Sequence, residues 1–269
     1  MSGQNLISTE DMMRFKGRHV LITGAAAGIG RAMSIRFATA GANLTLVDRN
    51  PALLEKTATQ AATHGVEVRT HTLDVAQHEQ IADFWQKLED NDLPDTLINN
   101  AGIYPSSNFT EMNPSFFERT IKVNMESAMW MCQQFIKRRL AVGGIIINVA
   151  SIEAILPFKS EMVPYAMSKA GVLALTRGLA HDYGSKGFRI NAILPGAIRT
   201  PGTMSMVKKA LSGVKLSMWR TGYDFQRRLA LRRWGRPDEV ATVTLFLASG
   251  LASYIQGALI PVDGGFLSS

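Results

Sequence analysis

His19-Val20-Leu21-Ile22-Thr23-Gly24-Ala25-Ala26-Ala27-Gly28-Ile29-Gly30 is the stretch whose reading decides the fold. The first five residues form a β-prone apolar run, and Gly24 ends it. A helical pattern follows Gly28. Glycines between a strand and a helix permit a tight turn and a close approach of backbone to a pyrophosphate, which then sits at the helix N-terminus. Gly24, Gly28, Ile29 and Gly30 are therefore candidate dinucleotide contacts. The spacing is Gly-x-x-x-Gly-x-Gly, so it is the strand before and the helix after that give the motif its weight.

A second run, Asn43–Val47, leads to Asp48, 20 positions after Gly28. A carboxylate there suits both ribose hydroxyls of NAD and repels a 2′-phosphate. Asp48, Asn50 and Pro51 also read as a helix start, and both roles are compatible. Ala27 brings no positive charge to the loop, whereas Arg49 stands beside Asp48. NAD is the expected cofactor, ahead of NADP.

Outward from this unit the same rhythm repeats. Further strands are expected at Glu67–Leu73, Thr96–Asn99, Gly144–Val149, Arg189–Leu194 and Ala258–Val262, with helical patterns between them. Ile145-Ile146-Ile147-Asn148-Val149 is almost continuously apolar, as a strand covered on both faces should be. Another helix starts near Pro237, where Asp238 and Glu239 suit the positive end of its dipole. Alternation of this kind gives an α/β, doubly wound parallel sheet with helices on both faces. With no linker or repeat, residues 1–269 read as a single dinucleotide-binding and catalytic domain. Residues 200–234 break the rhythm with methionines, aromatics and glycines, and are expected to form a lid over a substrate.

Composition excludes several classes. No run of 18 apolar residues is present and the start of the chain lacks signal-peptide character, which points to a cytoplasmic protein without a membrane span. A lone Cys132 among Met129 and Met131 reads as a buried, inert thiol. His64, His71 and His78 fall on three different expected elements, so no metal site is expected. His181-Asp182 is expected to be exposed. The formal charge of +7 is scattered in doublets rather than gathered in a nucleic-acid-binding run.

Tyr165 and Lys169 are four residues apart, one helical turn, so phenol and ammonium share a face. An ammonium beside a phenol favours the phenolate and lowers a pKa that is otherwise about 10. Such a tyrosine can exchange a proton with an alcohol or carbonyl near neutral pH. Ser151, 14 positions earlier, can offer its hydroxyl to the same substrate oxygen.

Together with Asp74-Val75, Asn99-Asn100-Ala101-Gly102, Lys122-Val123-Asn124, Pro195-Gly196 with Thr200, and Val262-Asp263-Gly264-Gly265, these pieces resemble the short-chain dehydrogenase/reductase family from about Phe15 to Gly265. The resemblance implies a Rossmann-type sheet of seven strands and a homotetramer or dimer. It implies that Tyr165 is the general acid/base, that Lys169 lowers its pKa and binds the nicotinamide ribose, and that Ser151 bonds the reacting oxygen. It further implies that Asn124 holds a water linking Lys169 to solvent, that Asp74 and Val75 contact the adenine, and that Asn100 and Gly102 line the cofactor groove. Pro195, Ile198 and Thr200 would hold the carboxamide. The Ser151-to-Tyr165 interval is slightly longer than the family's commonest spacing, with the extra length in the loop 156–164.

The expected substrate is a small-molecule secondary alcohol or its ketone. Tyr104 and Glu153 are candidate substrate contacts beside Ser151 and Tyr165. A carboxylate at Glu153 suits a polyol or sugar, whereas the methionines and aromatics suit an apolar alcohol. Two alternatives are an NADP-dependent reductase of 3-oxoacyl thioesters, against which Asp48 and Ala27 count, and a dinucleotide-sensing regulator without turnover, which has no need of Asn124, Ser151, Tyr165 and Lys169 together.

Overall fold

A computed structural model describes residues 7–204 and 227–269. Seven strands form one parallel sheet: β1 (His19–Thr23), β2 (Asn43–Asp48), β3 (Val68–Thr72), β4 (Thr96–Asn99), β5 (Gly144–Val149), β6 (Phe188–Pro195) and β7 (Leu259–Val262). Every expected strand is present, with ends shifted by at most one residue. Their spatial order is β3-β2-β1-β4-β5-β6-β7. The order reverses between β1 and β4, and the crevice beyond the carboxyl ends of those two strands is where open parallel sheets bind ligands.

Period-two alternation sends successive side chains to opposite faces. Leu21 pairs in register with Leu97, Leu97 with Ile146 and Ile146 with Ile190. This row lies in one core layer with Trp85, Met131 and Phe135 from α4 (His78–Lys87) and α6 (Ser127–Arg139). Ile22, Ile98 and Ile147 face the opposite layer, with Met33 and Phe37 of α2 (Gly28–Thr39), Leu54 of α3 (Pro51–Ala62) and Val240 of α8 (Pro237–Ala248). Both faces are covered, which explains the unbroken apolar run in β5.

The helix starts follow local chemistry. Asn50 caps α3 by accepting from Leu53 N at 3.1 Å, with Pro51 in the first turn. Asp48 is not the cap, because its carboxylate accepts from Ala26 N and Asn50 N, both at 3.0 Å. On α8, Glu239 accepts from Arg236 N at 2.7 Å and pairs with Arg233. The longest helix, α7 (Val163–Tyr183), lies against β5 and β6 and carries both Tyr165 and Lys169.

The expected lid falls mostly on 205–226, outside the described residues. No helix among the described residues is long and apolar enough to cross a membrane. The three spaced histidines sit on a turn, on β3 and at the start of α4, and no group able to hold a metal occurs among the described residues. His181 and Asp182 are exposed, as expected. Cys132 is buried, and burial pushes its thiol up to about 12, so it behaves as a small core residue.

Phe37 is fully buried and meets Phe15 edge to face, 5.2 Å between ring centres. Truncation leaves a cavity that close-packed neighbours fill only in part. Phe37→Ala is expected to lower unfolding free energy by about 3–5 kcal/mol, read by chemical denaturation.

Candidate active site

The crevice between β1 and β4 is built from main chain and pinned by two polar side chains. Thr23 Oγ1 accepts from Asn100 N and Ala101 N, each at 3.1 Å. Asn100 Nδ2 donates to Thr23 O and Gly24 O, both at 3.0 Å. The expected groove residue Asn100 thus fixes the glycine loop with its amide. At Gly30 a Cβ would come within 2.1 Å of Gly24 O, so only glycine lets α2 approach the loop this closely.

The N-terminus of α2 has no side-chain cap, since the capping position is Ala27. Its first N–H groups are directed at the crevice with the positive end of the helix dipole, a fit for a pyrophosphate. Asp48 stands at the end of β2, its carboxylate held by two main-chain N–H groups. Thr200 packs beside Gly28, and its turn is closed by Thr203, whose Oγ1 donates to Ile198 O at 2.7 Å. Pro195 ends β6, and Ile198 is buried. These residues fit a nicotinamide dinucleotide laid across the switch point.

Asp74 and Val75 follow β3. Arg119 pairs with the Asp74 carboxylate at 3.0 Å, and Ala76 N donates to it at 3.0 Å. These two bonds, with nearby Arg49, hold that carboxyl below its usual range although burial opposes them. Arg119 carries no sequence signature that marks it, because its partner is 45 positions away.

The catalytic candidates converge at the carboxyl end of β5. Ser151 and Tyr165 are both buried, and the Ser151 hydroxyl lies near enough to Tyr165 to favour its deprotonation. Lys169 Nζ donates to Val149 O at 2.8 Å. A Cβ at Gly102 would lie 3.5 Å from that Nζ and 3.4 Å from Asn124 Oδ1, so this glycine leaves room directly over the ammonium.

Asn124 sits in a π-helical turn, Lys122–Glu126, between α5 (Pro114–Ile121) and α6. Such turns interrupt the ordinary helical ladder and are frequent at functional sites. Its amide accepts from Ile103 N at 2.8 Å and donates to Ile103 O at 2.9 Å and Ser168 Oγ at 3.2 Å. The Asn124 side chain therefore locks the coil after β4 against α7. Ser168, which the sequence did not single out, completes the lock by donating to Tyr165 O at 2.7 Å.

One expectation is corrected here. Tyr165 is not poised as a phenolate in the free protein: burial pushes it up to about 12, the Ser151 hydrogen bond draws it down, and the Glu153 charge pushes it further up. Burial likewise lowers Lys169 to about 8. The two groups share a helix, α7, as expected, but desolvation disfavours the charged form of each.

Tyr104 and Glu153 lie beside Tyr165 and Ser151, two of the candidate catalytic residues. The Tyr104 ring meets Tyr165 edge to face at 4.6 Å, and Lys159 Nζ stands 4.8 Å from the centre of the Tyr104 ring. Glu153 is buried, its N donates to Ser151 Oγ at 3.2 Å, and its Oε2 accepts from Phe158 N at 3.3 Å. Lys159 was not anticipated, since it lies in a loop with no periodic pattern. That loop is anchored where Ser107 N donates to Glu161 O at 3.0 Å, next to the coil that carries Tyr104.

With this geometry in view, the comparisons with known proteins are decisive for the family. Residues 24–267 match the family described as enoyl-(acyl carrier protein) reductase. The chain is 35% identical over 260 residues to the 3-oxoacyl-[acyl-carrier-protein] reductase of Thermotoga maritima, covering 95% of this chain and 100% of that one. This chain belongs to the short-chain dehydrogenase/reductase family. It is also 31% identical over 258 residues to galactitol 2-dehydrogenase (L-tagatose-forming) of Cereibacter sphaeroides, covering 95% and 97%. Among solved structures, L-sorbose reductase of Gluconobacter frateurii, complexed with NADPH and L-sorbose, superposes with a TM-score of 0.87 at 29% identity, covering 96% and 99%. The chain is an oxidoreductase of the CH–OH group that uses a nicotinamide dinucleotide.

Gly30→Ala, which sets a methyl group against Gly24 O, is expected to weaken NADH binding at least tenfold, as read by titration of NADH fluorescence.

Proposed function

We propose that the protein interconverts a secondary alcohol and its ketone with NAD, Tyr165 serving as general acid/base. The carrying observation is the convergence of Ser151, Tyr165 and Lys169 at the end of β5, beside a loop shaped for a pyrophosphate. When bound, the dinucleotide supplies the hydride acceptor or donor and, in its oxidised form, a positive charge. The chain's own residues do the rest. Ser151 positions the reacting oxygen against the Tyr165 phenol, which takes the hydroxyl proton in oxidation and returns it in reduction. Lys169 places a cation one turn further along the same helix face, and burial of all three groups excludes competing water.

Asp48 supports NAD over NADP, because a fixed carboxylate at the end of β2 repels a 2′-phosphate. The likeness to an NADPH-bound sorbose reductase makes this a point for measurement. Kinetics with both cofactors are expected to give a higher kcat/KM with NAD, and Asp48→Ala is expected to narrow the ratio by at least tenfold. A clear NADP preference in the unaltered protein would overturn the assignment. The Thermotoga relative keeps 3-oxoacyl thioester reduction as the second reading, and a thioester belongs in the same substrate panel. The family likeness also extends the proposal to a homotetramer or dimer in the cytoplasm.

Removal of the acid/base costs about 10²–10⁴-fold in rate. Tyr165→Phe is expected to lose at least that much turnover while still binding NADH. Because the deprotonated phenol is the form that accepts a proton, alcohol oxidation should rise with pH. Ketone reduction, which needs the protonated phenol, should fall over the same range. Near-normal turnover in Tyr165→Phe refutes the role.

A further inference from the structure

Glu153 carries an unusual feature for a carboxylate two residues from a catalytic serine. Only 1% of the residue is exposed, and its Oε1 has no hydrogen-bond partner among the described residues. Oε2 accepts from Phe158 N, and the Lys159 main-chain N–H also lies near the carboxyl, which holds its orientation and leaves Oε1 without a partner at hydrogen-bond distance. A buried, unpartnered acceptor normally costs about 1–3 kcal/mol and is rare in native proteins. Protonation does not remove the problem, because an O–H at Oε1 would itself need an acceptor. Lys159 compensates the charge at a distance: no ion pair within 4 Å joins it to Glu153 among the described residues, and its ammonium rests over the Tyr104 ring instead. Glu153 lies near enough to Tyr104 and Tyr165 for its charge to act on both, and its main-chain N donates to Ser151 Oγ at 3.2 Å, so the carboxyl stands next to the three groups proposed to meet the substrate.

We propose that Glu153 Oε1 is the acceptor for a second hydroxyl of the substrate, next to the carbon that is oxidised. The substrate class is therefore a vicinal diol, including longer polyols, and in the reverse direction an α-hydroxyketone. This rests on the alcohol–ketone reading of Tyr165 and deepens it. A simple secondary alcohol leaves Oε1 unpaired in the complex, as does a 3-oxoacyl thioester, which has no hydroxyl to donate. Selectivity then comes chiefly from penalising ligands that lack the hydroxyl.

Affinity tests this without turnover. Acetoin and butanone, which differ at the neighbouring carbon by one hydroxyl, are titrated into the protein–NADH complex and followed by NADH fluorescence. Wild type and Tyr165→Phe are both used, so that loss of the acid/base role and loss of hydroxyl recognition are read separately. Acetoin is expected to bind about 10- to 100-fold more tightly than butanone in both. In Glu153→Leu that preference should collapse to about one. In Glu153→Gln, which keeps the Phe158 bond and a polar group at the site but no charge, part of it should return. Equal binding of the two ketones by wild type overturns the proposal and needs no variant. A parallel loss of affinity for both ketones in Glu153→Leu, with the ratio unchanged, overturns it too and leaves Glu153 a structural role only. Failure of Tyr165→Phe to lose turnover would sink the acid/base reading while leaving the affinity ratio as evidence on Glu153.

Discussion

The bond from Lys169 Nζ to Val149 O, 2.8 Å long, is the constraint on which the site depends. It ties α7 to the carboxyl end of β5, at the strand's last residue. Ser151 follows Val149 by two positions, and Tyr165 precedes Lys169 by one helical turn, so this single contact sets both groups in register. A second tie lies deeper. Asn99 Nδ2 donates to Asn148 Oδ1 at 2.8 Å, and Asn148 Nδ2 donates to Thr176 Oγ1 at 2.9 Å, joining β4, β5 and α7 through the core. Buried polar chains of this kind select one packing of the helix over others of similar apolar area, although Asn99 Oδ1 itself has no partner among the described residues.

Holding the helix this way places a lysine and a tyrosine where water cannot reach them. Burial lowers the lysine to about 8 and pushes the tyrosine up to about 12, each toward its neutral form. The Glu153 charge adds to the upward push on the tyrosine. On the proposed reading, the cationic ring of a bound oxidised nicotinamide would favour the phenolate that burial opposes.

The architecture was legible because it is written in local signals. Seven apolar runs separated by helical patterns require a parallel sheet, and Pro51 and Pro237 mark two helix starts by their missing N–H alone. The catalytic spacing was equally local: Tyr165 and Lys169 share a face because four residues make a turn. What stayed hidden is long-range. Arg119 reaches Asp74 and Ser168 meets Asn124 across 45 and 44 positions, distances that no period encodes. The direction of the Tyr165 shift was misread for the same reason. Spacing reveals the neighbouring cation, but not the burial that outweighs it.

The same division runs through the site itself. The sheet, the glycine loop and the catalytic pair lie on strand ends and one helix, where the packing of both core layers fixes them. Tyr104, Glu153 and Lys159 lie on the coil after β4 and the loop before α7, which Ser107 and Glu161 join by a single main-chain bond. Loops of this kind accept insertion at little entropic cost, about 0.6 kcal/mol for each doubling of length. The long interval between Ser151 and Tyr165 is thus affordable to the fold, and the buried Glu153 carboxylate is held from within it by Phe158 N. If the proposal for Glu153 holds, one acceptor oxygen left free while its partner oxygen is fixed to the main chain lets the site select by the position of a hydroxyl.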